Sequence, residues 1–500
     1  MSIIDPAEVE SIVRRVRERH GLPVSEEAPA FPLGRPVSGA PAPGTAASPI
    51  PVPSARGGSA EGVFADVDGA AEAAWSAFLT FRDQGMDLRR RVIESIRESM
   101  REHAEELGRH AWEETGLGRP GDKKIKNLLV TEKTPGLEDL ETRTVSGDRG
   151  KTWTEYSPYG VIGSITPTTN PTATIINNSI AILSAGNAVV FNVHPNARRV
   201  SLETVRLLNR AITAAGGPPN VVAAVAKPTI ETAQQLMRHP RVRVLLVTGG
   251  PAVVREALKT DKKAITAGPG NPPVVVDDTA DIALAGREIV RGASFDNNVI
   301  CTDEKEVFAV ASIADRLLQE MAANGAYLLK EHELRKLERV IFRQLGPPNK
   351  PGKIDPRWIG KNAGEILRQI GGDGGEEIRL LVADVPREHS LVWTEQLMPV
   401  MPVVRVRDVD EAIDLAVRAE HGFGHTASIF STDLEAITRM SRAINVSIFV
   451  ANGPTLAGLG AGGEGFTSFS IASPTGEGLT TPRTFSRIRR VTVAGSLQGL

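Results

Sequence analysis

The sequence predicts an α/β protein with two doubly wound, parallel-sheet parts. Two observations carry this. Beyond residue 157, apolar runs of strand length alternate with segments of helical period. A second series of the same kind opens with "NPPVVVDD" at Asn271. Strands alternating with helices at this spacing pair in parallel, and such sheets bind ligands at the C-terminal ends of their strands.

In chain order, the first segment is "DPAEVESIVRRVRERH" (5–20). Asp5 suits an N-cap, Pro6 the first helical position, and Glu8 the third residue of a capping box. Val9, Ile12, Val13 and Val16 form one apolar stripe, and Gly21 and Pro23 end the helix. Residues 21–60 are rich in Pro, Ala, Gly and Ser without a period, which predicts a disordered linker. A helix this short is marginal alone in water, so its stripe needs a partner. Either it folds back on its own protein or it docks into a groove elsewhere.

Helical patterns follow in "GVFADVDGAAEAAWSAFL" and "LRRRVIESIRESMREHAEELGRHAWEETG". "ETRTVSGDRGKTWTEY" (141–156) reads as a β-hairpin with a Gly-Asp turn, and "RIRRVTVAG" (487–495) as a further strand. The first α/β series then runs "YGVIGSITP", "TATIINNSIAILSAG", "AVVFNV", "ARRVSLETVRLLNRAITAAG", "VVAAVA", "TIETAQQLMRH", "VRVLLVTGG" and "PAVVREALKT". In the second series, "ADIALAGREIVRGASFDNN" reads as one helix up to the loop before "EKEVFAVA".

Composition excludes several functions. A formal net charge of −2 points away from nucleic acid and acidic membranes. A single cysteine rules out an internal disulfide framework and suits a reducing compartment. Apolar runs are too short to span a bilayer, and the first 20 residues carry Arg and Glu where a secretory signal needs an apolar stretch.

The lone cysteine, Cys301, sits between "SFDNNVI" and "TDEKEV" at a helix-to-strand junction. A solitary cysteine is ordinarily a small apolar filler. Its place in a junction loop makes it the best nucleophile candidate in the chain, because a thiolate attacks carbonyl carbon. A side-chain amide such as Asn170, in the strand-end loop "TPTTNPT", would serve to hold the resulting oxyanion together with the Cys301 N–H, although sequence alone does not bring 170 beside 301. Thr248, Gly249 and Gly250 end a strand before a helix, which suits a phosphate or ribose, or an ordinary tight turn. The Gly460-x-Gly462-x-x-Gly465 match is not followed by a helix and reads as a flexible loop. His421 and His425 are separated by two glycines and lack further ligands, so no metal site is expected.

Six stretches in this order, "SPYGVIGSITPTTNPTATIINNSIAILSAGNAVVFNVHP", "LLVTGGPAVV", "AGPGNPPVVV", "SFDNNVICTDEKEV", "TEQLMPVMPVV" and "GLGAGGEGFTSFSIASPTGEGLT", resemble the CoA-acylating aldehyde dehydrogenases of bacterial microcompartments, of the propionaldehyde and acetaldehyde type. The resemblance spans nearly the whole chain from residue 61. It implies an aldehyde dehydrogenase-like fold: an NAD-binding domain (61–140 and 157–268), a catalytic domain (269–465) and an oligomerisation arm (141–156 and 480–500). It also implies that residues 1–20 are an encapsulation peptide directing the chain to a microcompartment lumen by docking on shell or core proteins. A homo-oligomer, dimer or tetramer, is implied as well.

By the same resemblance, Cys301 is the catalytic cysteine and Asn170 an oxyanion donor. Glu395 orients the nicotinamide ribose, Thr248, Gly249 and Gly250 lie beneath the NAD pyrophosphate, and Pro167 and Thr168 line the nicotinamide pocket. Asn192 stands where hydrolytic members carry a ribose-binding lysine. Those members also use a glutamate to activate water, whereas the matching "TAGPGNPP" (266–273) has no carboxylate. The implied reaction is short-chain aldehyde + NAD⁺ + CoA → acyl-CoA + NADH. The competing readings are a hydrolytic aldehyde dehydrogenase or another reductase of the superfamily, and a cargo or assembly protein without turnover.

Overall fold

In the computed structural model, which describes residues 61–495, the predicted alternation becomes two parallel sheets. The N-terminal helix and linker expected at 1–60 lie outside the described residues. The first sheet has the spatial order Val63–Phe64, Val222–Val225, Ala188–Asn192, Val161–Ile165, Val242–Thr248, Lys263–Ala267, and every pairing is parallel. After the short first strand, the chain starts in the middle at Val161–Ile165, winds outward to one side and returns to fill the other. The order therefore reverses between Val161–Ile165 and Val242–Thr248, and a crevice opens beyond their C-terminal ends.

The second sheet is also fully parallel, with the order Ala326–Leu328, Leu380–Asp384, Val400–Val406, Glu306–Val310, Pro273–Val276, Thr426–Phe430, Ile448–Ala451. Residues 268–272 connect the last strand of the first sheet directly to Pro273–Val276. The C-terminal edge of one sheet is thereby joined to the N-terminal edge of the other, and the junction positions the site. The sheets are built on buried Val, Ile, Ala and Phe, two-sided strands that read as continuous apolar runs. Helix Pro171–Ser184 is buried along its whole length.

A third sheet is antiparallel. The hairpin Arg143–Gly147/Gly150–Pro158 forms as predicted, and Ser486–Ala494 pairs with Gly150–Pro158 over its full length, within one chain. Among the described residues, no helix is long and apolar enough to cross a membrane.

Three local expectations are corrected. Val63 and Phe64 are strand, paired with Ala224 and Val225, and the helix starts only after Asp66, whose carboxylate accepts from the Gly69 N–H at 2.7 Å. The helix expected over 88–116 divides at His103, which leaves helical geometry with its ring bonded to the Ser99 carbonyl at 2.8 Å. The helix expected to reach Asn298 stops at Ala293. Asp296, Asn297 and Asn298 then adopt φ of 44°, 56° and 63°, left-handed geometry that Asp and Asn tolerate better than other non-glycine residues.

Candidate active site

The loops after Ile165 and Thr248 flank the switch point of the first sheet. They carry Pro167, Thr168, Asn170, Thr248, Gly249 and Gly250 into one cavity of about 280 Å³. The second sheet supplies the facing wall. Its neighbouring strands Val400–Val406, Glu306–Val310 and Pro273–Val276 are preceded by loops bearing Glu395, Cys301 and Gly268–Pro269, which also line the cavity. Of the residues singled out from sequence, eight meet here. Asn192 does not line this cavity. Its side chain is buried, accepting from Thr232 Oγ1 at 2.6 Å and donating to the Thr229 carbonyl at 3.4 Å.

Cys301 is partly exposed, in a turn held from both sides. Upstream, Asn298 Nδ2 donates to the carbonyls of Ala293 and Glu304, both at 2.8 Å. Downstream, Asp303 Oδ2 accepts from the Ile300 N–H at 3.1 Å. Beneath the turn lies the buried Lys305, whose ammonium donates to Asn298 Oδ1 at 2.6 Å and the Ile300 carbonyl at 3.1 Å. Residues 303–306, which look like a surface charge cluster in sequence, are completely buried.

That burial governs the protonation of the region. It pushes the Cys301 thiol up to about 12; the Glu395 carboxylate adds to the rise and Lys305 opposes it. Glu395 is itself raised by burial, against Lys305 and the Gly270 N–H, which donates to Oε1 at 3.2 Å. Burial raises Glu304 to about 7 and holds Asp303 and Glu306 well above the usual carboxylate range. His425, buried beside Gly270, is driven down to about 3 by burial and by Lys305, and is neutral at physiological pH.

Asn170 is the N-cap of the buried helix Pro171–Ser184. Its Oδ1 accepts from Lys126 Nζ at 2.6 Å, and its Nδ2 donates to Thr169 Oγ1 at 3.2 Å. Thr248 Oγ1 is hydrogen-bonded to Ser470 Oγ at 2.9 Å. Gly250 presents backbone with open space on the side a Cβ would take, Gly249 has only Val253 Cβ at 4.0 Å there, and the buried Thr168 Oγ1 has no protein partner. A bare backbone at a strand-to-helix turn plus an unpartnered hydroxyl in one crevice fits a dinucleotide. His421 and His425 do not converge: His421 Nε2 meets the Trp393 carbonyl at 2.9 Å, and His425 Nδ1 meets Thr426 Oγ1 at 2.8 Å.

Several lining residues were not singled out from sequence: His194, Leu397, Leu459, Ser468, Phe469 and Ile471. The last three follow the glycine-rich loop. Gly460, Gly462 and Gly465 all have positive φ, the conformation that loop requires.

Residues 56–337 and 369–469 match the Aldehyde dehydrogenase family. EutE of Salmonella typhimurium, an acetaldehyde dehydrogenase (acetylating), is 48% identical over 430 residues, 86% of this chain and 91% of the relative. A Rhodopseudomonas palustris propionaldehyde dehydrogenase, solved with bound CoA and an acylated cysteine, is 49% identical with a TM-score of 0.84, over 87% of this chain and 98% of that one. A propionaldehyde dehydrogenase from the fucose utilisation microcompartment of Clostridium phytofermentans is 44% identical with a TM-score of 0.85, over 88% and 100%. The chain belongs to the aldehyde dehydrogenase family.

Proposed function

We propose that the protein is a CoA-acylating, NAD-dependent aldehyde dehydrogenase acting on short-chain aldehydes such as propionaldehyde or acetaldehyde. The observation that carries this is the meeting of Cys301, Asn170 and Glu395 with the Thr248–Gly250 turn in one cavity whose wall at Gly268 and Pro269 carries no carboxylate of its own. The acylated cysteine and CoA of the R. palustris relative support the same chemistry here.

Cys301 attacks the aldehyde carbon as the thiolate, its proton having passed to solvent, and Asn170 Nδ2 with the Cys301 N–H holds the oxyanion of the hemithioacetal. Thr248–Gly250 and Glu395 would hold a nicotinamide dinucleotide, which would supply the hydride acceptor and a positive charge to the cavity that Cys301 lines. Loss of hydride leaves a thioester on Cys301. The CoA thiolate then attacks this carbonyl, the same donors hold the second oxyanion, and Cys301 leaves as thiolate. Without a carboxylate base at 266–273, water competes poorly with the thiol.

The three-stranded sheet, with Val145 and Ile488 exposed on it, supports a homo-oligomer through this arm. The amphipathic pattern of residues 5–20 and the microcompartment source of the C. phytofermentans relative support a role for residues 1–20 as an encapsulation peptide, with the enzyme in the lumen of a microcompartment. The test of the reaction is Cys301→Ala, which is expected to abolish CoA-dependent NADH formation. Retained turnover in that variant would refute the assignment. The test of localisation is deletion of residues 1–20, which is expected to spare turnover and lose co-purification with shells. Continued co-purification would refute it.

A further inference from the structure

Behind the oxyanion amide lies a group of charges shut off from water. Lys123 and Lys126, three residues apart on helix Pro120–Lys133, point inward and are each 2% exposed, and Asp296 is fully buried. Asp296 Oδ2 accepts from Lys123 Nζ at 2.9 Å and also pairs with Lys126 Nζ, while Oδ1 accepts from the Arg119 N–H at 2.7 Å. One carboxylate thus serves two buried cations. A buried charge without full compensation is strongly unfavourable, so the second ammonium needs another acceptor. Lys126 finds it in Asn170 Oδ1, at 2.6 Å.

This contact has two chemical consequences. An ammonium has only donors, so it accepts only the oxygen end of the amide and fixes which way Asn170 is turned. With Oδ1 held at the back, Nδ2 has one hydrogen for Thr169 Oγ1 and one left for the cavity. A full positive charge on the amide oxygen also draws electrons from the nitrogen and makes its N–H a stronger donor, more so in a low-dielectric site. The same ion group reaches the nucleophile: Asp296 opens the left-handed run that leads into Cys301 five residues on. Lys126 therefore touches both the segment carrying the thiol and the amide facing it.

We propose that Lys126 is a positioning residue for the oxyanion site, orienting and polarising the Asn170 amide and tying it through Asp296 to the Cys301 loop. This rests on the reaction proposed above. In that reaction the amide acts twice, in acylation of Cys301 and in transfer to CoA.

The experiment is a double-mutant cycle on the full chain, read as the single-turnover NADH burst with propionaldehyde and NAD⁺ in the absence of CoA. The unmodified enzyme's burst reports the activity itself; the coupling between substitutions reports Lys126. Lys126→Met is expected to slow the burst by about 100-fold, with the aldehyde concentration giving half the maximal burst rate within about threefold of the unmodified enzyme. Lys126→Arg, which keeps charge and donors, is expected to recover most of that loss. The Lys126→Met/Asn170→Ala double variant is expected to be no slower than Asn170→Ala alone, because a residue that acts through the amide has nothing to act on once the amide is gone. Should Lys126→Met not fold, the cycle with Lys126→Gln is expected to show a smaller loss and the same lack of additivity. Losses that multiply in the double variant, or a burst at the unmodified rate in Lys126→Met, would overturn the proposal. A purely structural lysine would move the melting temperature and give multiplying losses.

Discussion

Gly270 lies against the backbone of Cys301: a Cβ at position 270 would come within 2.5 Å of the Cys301 carbonyl oxygen and 3.1 Å of the His425 ring. Neither neighbour is the free end of a flexible chain, so a side chain here must displace the cysteine turn itself. Gly270→Ala is predicted to slow acylation by about 100-fold, since small misplacements of a reacting group carry penalties of that order. It should also lower stability by about 1–3 kcal/mol through overpacking. Stopped-flow NADH bursts and a denaturant titration check both halves; an unchanged burst would contradict this geometry.

The raised Cys301 thiol leads to a pH prediction. With Cys301 pushed up to about 12, only about one protein in 10⁴ carries the thiolate at pH 8. Alkylation of the apoprotein by iodoacetamide should therefore rise about tenfold per pH unit from pH 7 to 10, without a plateau near 8.5. Adding NAD⁺ brings a positive ring beside the thiol and should accelerate alkylation at fixed pH. A plateau between pH 8 and 9 in the apoprotein would contradict the burial account.

Glu304 has a stability signature. Its folded-state value is raised from 4.5 to about 7, so between these limits the folded protein holds a proton that the unfolded chain has released. Its contribution is full below about pH 4.5 and declines as pH rises to about 7, by an amount on the order of 3 kcal/mol. The buried, raised Asp303 and Glu306 act in the same direction. Glu304→Gln should flatten this part of the profile in urea titrations between pH 5 and 7.5. A slope identical to that of the unmodified protein would assign the dependence to other groups.

Lys305 is the cation that opposes the burial of all these acids. Lys305→Met removes it and also takes the donor from Asn298 Oδ1 and the Ile300 carbonyl. A loss of about 3–5 kcal/mol is predicted, the range for breaking one side of a buried ionic group. Chemical denaturation at pH 7 measures it, and a loss below 1 kcal/mol would show that the group relaxes without its lysine.

The sheets were legible because their strands are buried on both faces and read as unbroken runs such as "AVVF" and "VLLV". Cys301, Asn170 and Thr248–Gly250 stood out as candidates because each sits where a strand or helix ends, and the resemblance in the surrounding motifs, not their spacing, grouped them into the one cavity that they line. Lys126 was not legible. In "DKKIKNLL" its helix shows lysines that look solvated, and only packing against the Asp296 loop turns two of them inward. The charges at 303–306 misled in the same way. The left-handed Asp296–Asn298 run continued a helical pattern in sequence, and only its side-chain anchors break it: Asn297 Nδ2, for instance, donates to the Gly360 carbonyl at 2.9 Å and to Asn362 Oδ1 at 2.8 Å. Ser468 and Phe469 reach the cavity from the far end of the chain, a closure that no local pattern encodes.

The most direct test of the account is the mass of Cys301 and the fate of its acyl group. Protein mixed with propionaldehyde and NAD⁺ without CoA should release about one NADH per active site and retain a propionyl adduct on the Cys301 peptide. Addition of CoA should discharge that adduct as propionyl-CoA and start continuous turnover. Sustained NADH formation without CoA, with free propionate as product and no adduct on Cys301, would contradict it.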